Sequence, residues 1–192
     1  IDQVDDLKHL VNEFSNYARL PQSHPTMADL NKTIEQALML FSLGEKNIKL
    51  EFIPNNTLPE FLFDPDQMKR VITNLVDNAI AAVEGQEDGK IVVETGYNPE
   101  IKLATICVKD NGPGVSPEIV DRVFEPYVTT KSEGTGLGLA IVKRTVEDHN
   151  GYIRTLRNRP SGTKMLIELP VVTASTQESV IKVDGPTNEG WV

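Results

Sequence analysis

The sequence predicts an α+β fold, a two-layer sandwich of three helices on one face of a mostly antiparallel, mixed sheet. Two observations lead to this prediction. Helical and strand-like segments are mixed along the chain, and strand-like segments come in adjacent pairs, 91–94 with 101–108 and 152–156 with 163–169. Strands joined by short turns pair antiparallel, whereas a strictly alternating doubly wound sheet needs a helix between successive strands.

One long helix is predicted over 1–20, where apolar residues recur every three or four positions from Val4 to Ala18. Pro21 and Pro25 end this helix, and 22–28 is predicted to be a linker. A helix of this length is marginal alone, so its apolar stripe has to pack on another helix. That helix belongs either to this chain or to a second copy, and the sequence leaves both arrangements open.

The following elements are assigned to one domain over 29–171. A second helix is predicted from Asp29 to Leu43, with apolar residues on one face and Gly44 at its end. Alternating apolar residues predict a half-buried strand at 48–53, and a short strand is predicted at 60–63.

The third helix has the clearest start signal in the chain. Asp64 can cap it, Pro65 suits its first turn, and its apolar residues keep the helical period as far as Val83. A fourth helix is predicted at 137–149. After the last strand, the segment 172–192 is polar and without periodicity, which predicts a mobile tail.

The overall charge restricts the class of ligand. The chain has 19 Lys and Arg against 28 Asp and Glu, a formal net charge of −9. A surface that binds a phosphate backbone has to be basic, so the composition argues against a nucleic-acid partner. The single cysteine excludes an internal disulfide framework and a multi-cysteine metal site. A phosphate ligand would need local backbone N–H groups, a metal ion and a few cations.

Two asparagines of the third helix, Asn74 and Asn78, share one face because they are four residues apart. Asparagine is a poor residue for a helix interior, and a solvated face would favour Lys, Glu or Gln. The pair is interpreted either as two surface residues or as amide oxygens directed at a hard cation such as Mg²⁺.

Three glycine-containing turns have two interpretations each. The run Asp-Asn-Gly-Pro-Gly at 110–114 is a plain turn or a close approach to a ligand, with Asp110 accepting from an amino group. The run 134–139 precedes the fourth helix, whose N–H groups could bind phosphate, although it matches neither the dinucleotide fingerprint nor a P-loop. Ser161-Gly162-Thr163 is a hairpin turn or a ligand contact.

In their order and spacing, the asparagine pair, the run 110–114, the segment 124–127 and the run 134–139 resemble the four nucleotide-binding boxes of the GHKL ATPases. The resemblance is strongest to the catalytic domain of bacterial sensor histidine kinases, and 124–142 is similar to the nitrogen-regulation sensor kinases. It covers roughly residues 1–170. It implies the Bergerat (GHKL) fold, ATP and Mg²⁺ as ligands, and a segment 1–21 that is the second helix of a dimerisation hairpin.

The resemblance also implies individual roles. Asn78 would coordinate Mg²⁺, Asn74 would assist near the phosphates, and Asp110 would bind the adenine amino group. Many relatives carry Lys or Arg at the place of Ala81, so Lys131 is our candidate for the cation that offsets the phosphate charge. The other residues assigned to the nucleotide site are Gly112, Gly114, Phe124, Gly134, Thr135, Gly136, Leu137, Gly138 and Thr163.

Asn74 also separates the subfamilies. Members that hydrolyse ATP, and the anti-sigma serine kinases, resemble one another in a glutamate at this place, which activates water in the hydrolases. An amide cannot take up a proton, so the sequence favours transfer of the γ-phosphate to a histidine. A GHKL ATPase, an anti-sigma-type serine kinase and a degenerate interaction module without nucleotide remain the alternatives.

The phosphoaccepting histidine is not recognisable among His9, His24 and His149, because sensor kinases carry it before an acidic residue on a helix. We therefore expect it outside this chain. The expected partners are the acceptor helix of the full-length kinase, a response-regulator receiver domain and a second copy in a homodimer. The expected location is the cytoplasm, and anchoring of the full-length protein in the bacterial inner membrane stays open.

Overall fold

The computed structural model describes residues 22–41, 48–129 and 134–174. The long helix predicted over 1–20 and most of the tail predicted over 172–192 lie outside the described residues. A short 3₁₀ helix, Val120–Arg122, precedes the last α-helix. The helices are α1 (Leu30–Leu38), α2 (Pro65–Val83) and α3 (Gly138–Asp148), and the strands are β1 (Thr26–Ala28), β2 (Lys49–Ile53), β3 (Phe61–Phe63), β4 (Lys90–Asn98), β5 (Leu103–Asp110), β6 (Tyr152–Arg157) and β7 (Thr163–Pro170).

The main sheet has five strands in the order β2-β4-β5-β7-β6. The β2–β4 pair is parallel, and the β4–β5, β5–β7 and β6–β7 pairs are antiparallel. Strands β1 and β3 form a separate antiparallel ribbon. The predicted fold class, three helices on a mixed and mostly antiparallel sheet, is confirmed.

The hydrophobic core lies between the sheet and the helices. Alternate residues of β4, such as Ile91 and Val93, are fully buried, because successive side chains of a strand point to opposite faces. The apolar stripe of α2 covers this face. Its buried residues are Met68, Val71, Ile72, Leu75, Val76, Ala79 and Val83.

Two elements differ from the sequence prediction. The segment predicted as a linker over 22–28 contains β1, which pairs Met27 with Leu62 of β3. This pairing joins residues far apart in sequence, so no local turn motif predicts it. Helix α1 ends at Leu38 rather than at Leu43, and the two residues that follow it are exposed, Met39 with 65% and Leu40 with 71% of its surface. None of the described helices combines the length and the apolar character needed to cross a bilayer.

The start of α2 is fixed by the carboxylate of Asp64, as the sequence predicts. Its Oδ1 accepts hydrogen bonds from the N–H groups of Asp66 and Gln67, both at 3.0 Å, and its Oδ2 accepts from the His24 N–H at 2.7 Å. Burial opposes ionisation, but these three hydrogen bonds outweigh it and hold the pKa of Asp64 below its ordinary value. The cap therefore stabilises the fold above the ordinary aspartate pKa, and this contribution is lost as the pH falls through the lowered pKa.

Replacing Asp64 by alanine is expected to lower the free energy of unfolding by about 0.5–2 kcal/mol, the usual range for loss of a helix cap. Chemical denaturation at neutral pH measures this loss. Asp66→Ala is the matched control, because the Asp66 side chain is 93% exposed and its contact with Lys69 is long, at 3.5 Å. Equal effects of the two substitutions would contradict the assignment of Asp64 as the cap.

Candidate functional site

The site is built around Asp110, the last residue of β5. Its Oδ1 accepts hydrogen bonds from the Gly112 N–H at 2.9 Å and from the Thr163 N–H at 3.1 Å. Thr163 is the first residue of β7, so the carboxylate joins two neighbouring strands of the sheet at one end. Asp110 is only 6% exposed, and its Oδ2 is the second acceptor oxygen of this buried group.

Burial sets the electrostatics of this carboxylate. Desolvation raises the pKa of Asp110 above its ordinary value, although hydrogen bonds from Thr163 and Gly112 stabilise the anion and partly oppose the shift. A buried carboxylate is costly unless hydrogen-bond donors satisfy its oxygens. A ligand amino group directed at Asp110 would supply such a donor.

Three glycines allow the surrounding backbone to approach this carboxylate. A Cβ at Gly112 would lie 2.5 Å from the Ala82 carbonyl oxygen, and one at Gly114 would lie 3.2 Å from the Gly162 oxygen. Gly162 has a φ of +112°, and a Cβ there would overlap the Asp110 carbonyl. Any larger residue would push the β6–β7 turn away from the end of β5.

Two asparagines hold the loop after β5 in place. Asn111 accepts from the Lys90 N–H at 2.7 Å and donates to the Asp88 carbonyl at 2.9 Å. Asn158, in the β6–β7 turn, donates to the Asp110 carbonyl at 2.7 Å. Neither contact is predicted from the sequence. Asn111 lies inside a recognised motif, whereas nothing in the sequence around Asn158 indicates its contact.

One face of α2 borders both glycine loops. Asn74, Asn78 and Ala82 share this face because each is four residues from the next. A Cβ at Gly138 would lie 2.9 Å from the Asn74 Oδ1, and Gly112 lies against Ala82. The loop that opens α3 and the loop that follows β5 therefore meet this face on either side of Asn78.

The N-terminus of α3 lacks a side-chain cap at its N-cap residue, Leu137. The Leu137 N–H is 3.4 Å from the Thr135 hydroxyl. Leu137 is fully buried, and Gly134 and Thr135 are half-buried. The first N–H groups of a helix need partners from outside it, and phosphate oxygens are suitable ones.

The segment around Tyr127 is held against this loop by a backbone hydrogen bond. The Tyr127 N–H donates to the Gly136 carbonyl at 3.1 Å, and a Cβ at Gly136 would lie 2.7 Å from the Tyr127 backbone. Tyr127 itself has a positive φ of 67°. Phe124 packs against the hydrophobic core. Lys131, the predicted phosphate contact, lies outside the described residues.

A surface hollow lies elsewhere on the described part of the chain. Its lining includes His24, Asp64, Arg70 and Thr145, beside the N-terminal end of α2. The predicted site residues meet further along α2, around Asn74 and the glycine loops. The hollow is therefore separate from the place where the residues predicted to bind the nucleotide come together.

Comparison with known proteins identifies the family. The family model described as "Histidine kinase-, DNA gyrase B-, and HSP90-like ATPase" matches residues 63–173. The sensor histidine kinase ZraS of Escherichia coli is 36% identical over 171 residues, which are 88% of this chain and 36% of ZraS. A putative NtrY-like sensor histidine kinase of Rickettsia conorii is 36% identical over 162 residues, which are 84% of this chain and 27% of that protein. The chain thus spans about a third of these relatives.

Solved histidine kinase structures have the same fold. Full-length ShkA in complex with AMPPNP superimposes with a TM-score of 0.78 and 28% identity, over 90% of this chain and 37% of ShkA. The nucleotide-free catalytic domain of ThkA has a TM-score of 0.68 and 34% identity, over 78% of this chain and 99% of that domain. With the family model and these structures in agreement, the chain belongs to the histidine kinase-, DNA gyrase B- and HSP90-like ATPases and contains a histidine kinase catalytic domain.

Proposed function

We propose that this domain binds ATP with Mg²⁺ and transfers the γ-phosphate to a histidine outside this chain, from which it passes to an aspartate of a response-regulator receiver domain. The observation that carries the proposal is the buried Asp110 carboxylate beside a face of α2 that two glycine loops border. This arrangement suits a ligand with an amino group at one end and phosphates at the other.

Two solved neighbours support the choice of ligand and partner. ShkA was solved with AMPPNP, an ATP analogue. ThkA was solved in complex with the response regulator TrrA, and this chain superimposes on it with a TM-score of 0.73 and 27% identity, over 89% of this chain and 49% of ThkA. The acceptor helix and the homodimer are further parts of the proposal, and they rest on the resemblance of 1–21 to a dimerisation hairpin.

Asp110 would recognise the adenine through its exocyclic amino group. Because Oδ1 is engaged by two backbone N–H groups, Oδ2 is the oxygen that would accept from the base. Gly112, Gly114 and Gly162 keep Cβ atoms out of this part of the site. The protein therefore positions one charged acceptor on a rigid backbone frame, which is how a site distinguishes an amino group from a carbonyl.

The phosphates would lie between α2 and the N-terminus of α3, which Leu137 does not cap through its side chain. Backbone N–H groups around Gly136 and Gly138 would bind them, and Lys131 is the proposed cation, since Ala81 provides no charge. The described residues contain no group of three or more His, Cys, Asp or Glu that could hold a metal. Mg²⁺ suits the oxygen of Asn78 together with phosphate oxygens and waters, and it would neutralise phosphate charge.

Incubation of the 192-residue chain with γ-labelled ATP and Mg²⁺ is expected to give nucleotide binding, slow hydrolysis and no label on the protein. Label is expected only after adding a helical hairpin in which a histidine precedes an acidic residue. Prompt self-labelling would place the acceptor in this chain. Fast steady-state hydrolysis would favour a GHKL ATPase, and absence of binding in calorimetry would favour a degenerate module.

Asp110→Asn is expected to weaken ATP binding by about tenfold to a hundredfold, the usual effect of losing a hydrogen bond to a charged group. Because two backbone N–H groups donate to Oδ1, the oxygen of the asparagine amide would take that position. Its NH₂ group would then face the adenine amino group. Two donors would then face each other. Calorimetric titration with ATP measures the change, and unchanged affinity would remove Asp110 from the site.

Stability provides the control for this substitution. Because burial raises the pKa of Asp110, this group stabilises the fold most below the ordinary aspartate pKa, and the contribution is lost as the pH rises through the raised value. At neutral pH the asparagine variant is therefore expected to be at least as stable as the wild type. Thermal unfolding tests this, and a less stable variant would mean that the loss of binding reflects damage to the fold.

Asn78→Ala is expected to remove most of the gain in ATP affinity that Mg²⁺ provides, because the substitution takes away the proposed amide ligand. The loss should be at least as large as the roughly tenfold to hundredfold effect typical of outer-shell partners of a metal. Titrations with and without Mg²⁺ measure it. Thr73→Ala is the matched control on α2, since the Thr73 hydroxyl donates to the Lys69 carbonyl at 3.0 Å. An equal dependence on Mg²⁺ in both variants would refute the role of Asn78.

A further inference from the structure

The imidazole of His149 connects the C-terminal end of α3 to the residue that caps α2. Its Nε2 lies 3.0 Å from the backbone nitrogen of Asp64, and its Nδ1 lies 2.8 Å from the carbonyl oxygen of Thr145. His149 is the C-cap residue of α3, and its own N–H also donates to Thr145, at 3.2 Å. Both ring nitrogens are therefore used in contacts within the domain.

The two partners fix the state of the ring. The Asp64 N–H can only donate and the Thr145 carbonyl can only accept. Nε2 must therefore be unprotonated, and the single ring proton must lie on Nδ1. The hydrogen bond from the Asp64 N–H to Nε2 is directional, and it holds the C-terminal end of α3 against the residue that caps α2.

A second contact between the same two helices lies at the other end of α3. There Gly138 packs against the Asn74 side chain. Asn74 and Asp64 are about 15 Å apart along α2 at a rise of about 1.5 Å per residue, and the length of α3 matches this distance. The two helices therefore run antiparallel, with the His149 contact at one end and the proposed phosphate site at the other.

Between these ends the helices meet through apolar side chains such as Val142, Val146 and Val71, all buried in the core. Apolar burial holds the helices together but is not directional. A hydrogen bond requires a defined distance and angle. The His149–Asp64 bond is therefore suited to defining where α3 lies along the axis of α2.

We propose that His149 is a positioning residue, which fixes the axial register of α3 on α2 and thereby the place of the Gly138 backbone relative to the Asn74 amide. The consequence for activity rests on the proposed function, because it concerns the phosphate site. A displacement of even one residue along a helix is about 1.5 Å, enough to misplace a hydrogen-bond donor to phosphate.

Three variants of the full chain test this role. His149→Phe keeps an aromatic ring but removes the acceptor, and it is expected to weaken ATP binding about tenfold. His149→Gln can present an amide oxygen to the Asp64 N–H, and it is expected to restore binding to within about twofold of the wild type. Glu147→Gln, an exposed change in the last turn of α3, is the matched control and should have no effect. Binding is measured at a temperature where circular dichroism finds every variant folded.

Nuclear magnetic resonance separates this proposal from the proposed function, because it needs no nucleotide. The ¹⁵N shifts of the wild-type ring should identify protonated Nδ1 and unprotonated Nε2, and in His149→Phe the Gly138 amide and Asn74 side-chain signals should move. A proton on Nε2, or Gly138 and Asn74 signals that stay in place, would overturn the positioning role. If these signals move as expected but the wild type binds no ATP, the proposed function fails and the register role stands.

Discussion

Burial of the Asp110 carboxylate is the constraint on which the rest of the site depends. An ionised group out of water is tolerated only with donors at its oxygens, and two backbone N–H groups from different segments supply them to Oδ1. Bringing both segments that close leaves no room for Cβ atoms, which accounts for Gly112 and Gly162. Burial still raises the pKa of this carboxyl despite these donors. A ligand that adds a further hydrogen-bond donor would therefore stabilise the buried anion and gain binding energy.

Helix α2 connects the surroundings of Asp110 to the loop that opens α3. Its apolar stripe is held in the core, so the face that carries Asn74 and Asn78 cannot rotate away from the glycine loops. One end of that face meets the loop after β5 and the other meets the start of α3. A single rigid helix therefore sets the distance between the proposed adenine and phosphate ends of the site.

Much of this could be predicted from sequence because the signals are local. The apolar period of α2, its cap at Asp64 and the hairpin between β4 and β5 each depend on neighbouring residues, and each is present in the structure. The pairing of β1 with β3 depends on residues distant in sequence and was missed. The contact of Asn158 with the Asp110 carbonyl depends on the same long-range folding. Sequence motifs indicate candidate site residues, whereas the residues that hold those candidates in place, such as Asn158, are identified only from the three-dimensional structure.

Asn74 would combine a role in the proposed chemistry with a role in packing. Its Nδ2 donates to the Arg70 carbonyl within α2 at 2.9 Å, and its Oδ1 faces Gly138 at the start of α3. Unlike a carboxylate, this amide cannot take up a proton, so it cannot act as a general base that activates water. Under the proposed function, the phosphate would then be protected from water and held for a better nucleophile. Control of the site would lie in the relative position of two helices, which is the quantity that the bond between His149 and Asp64 defines.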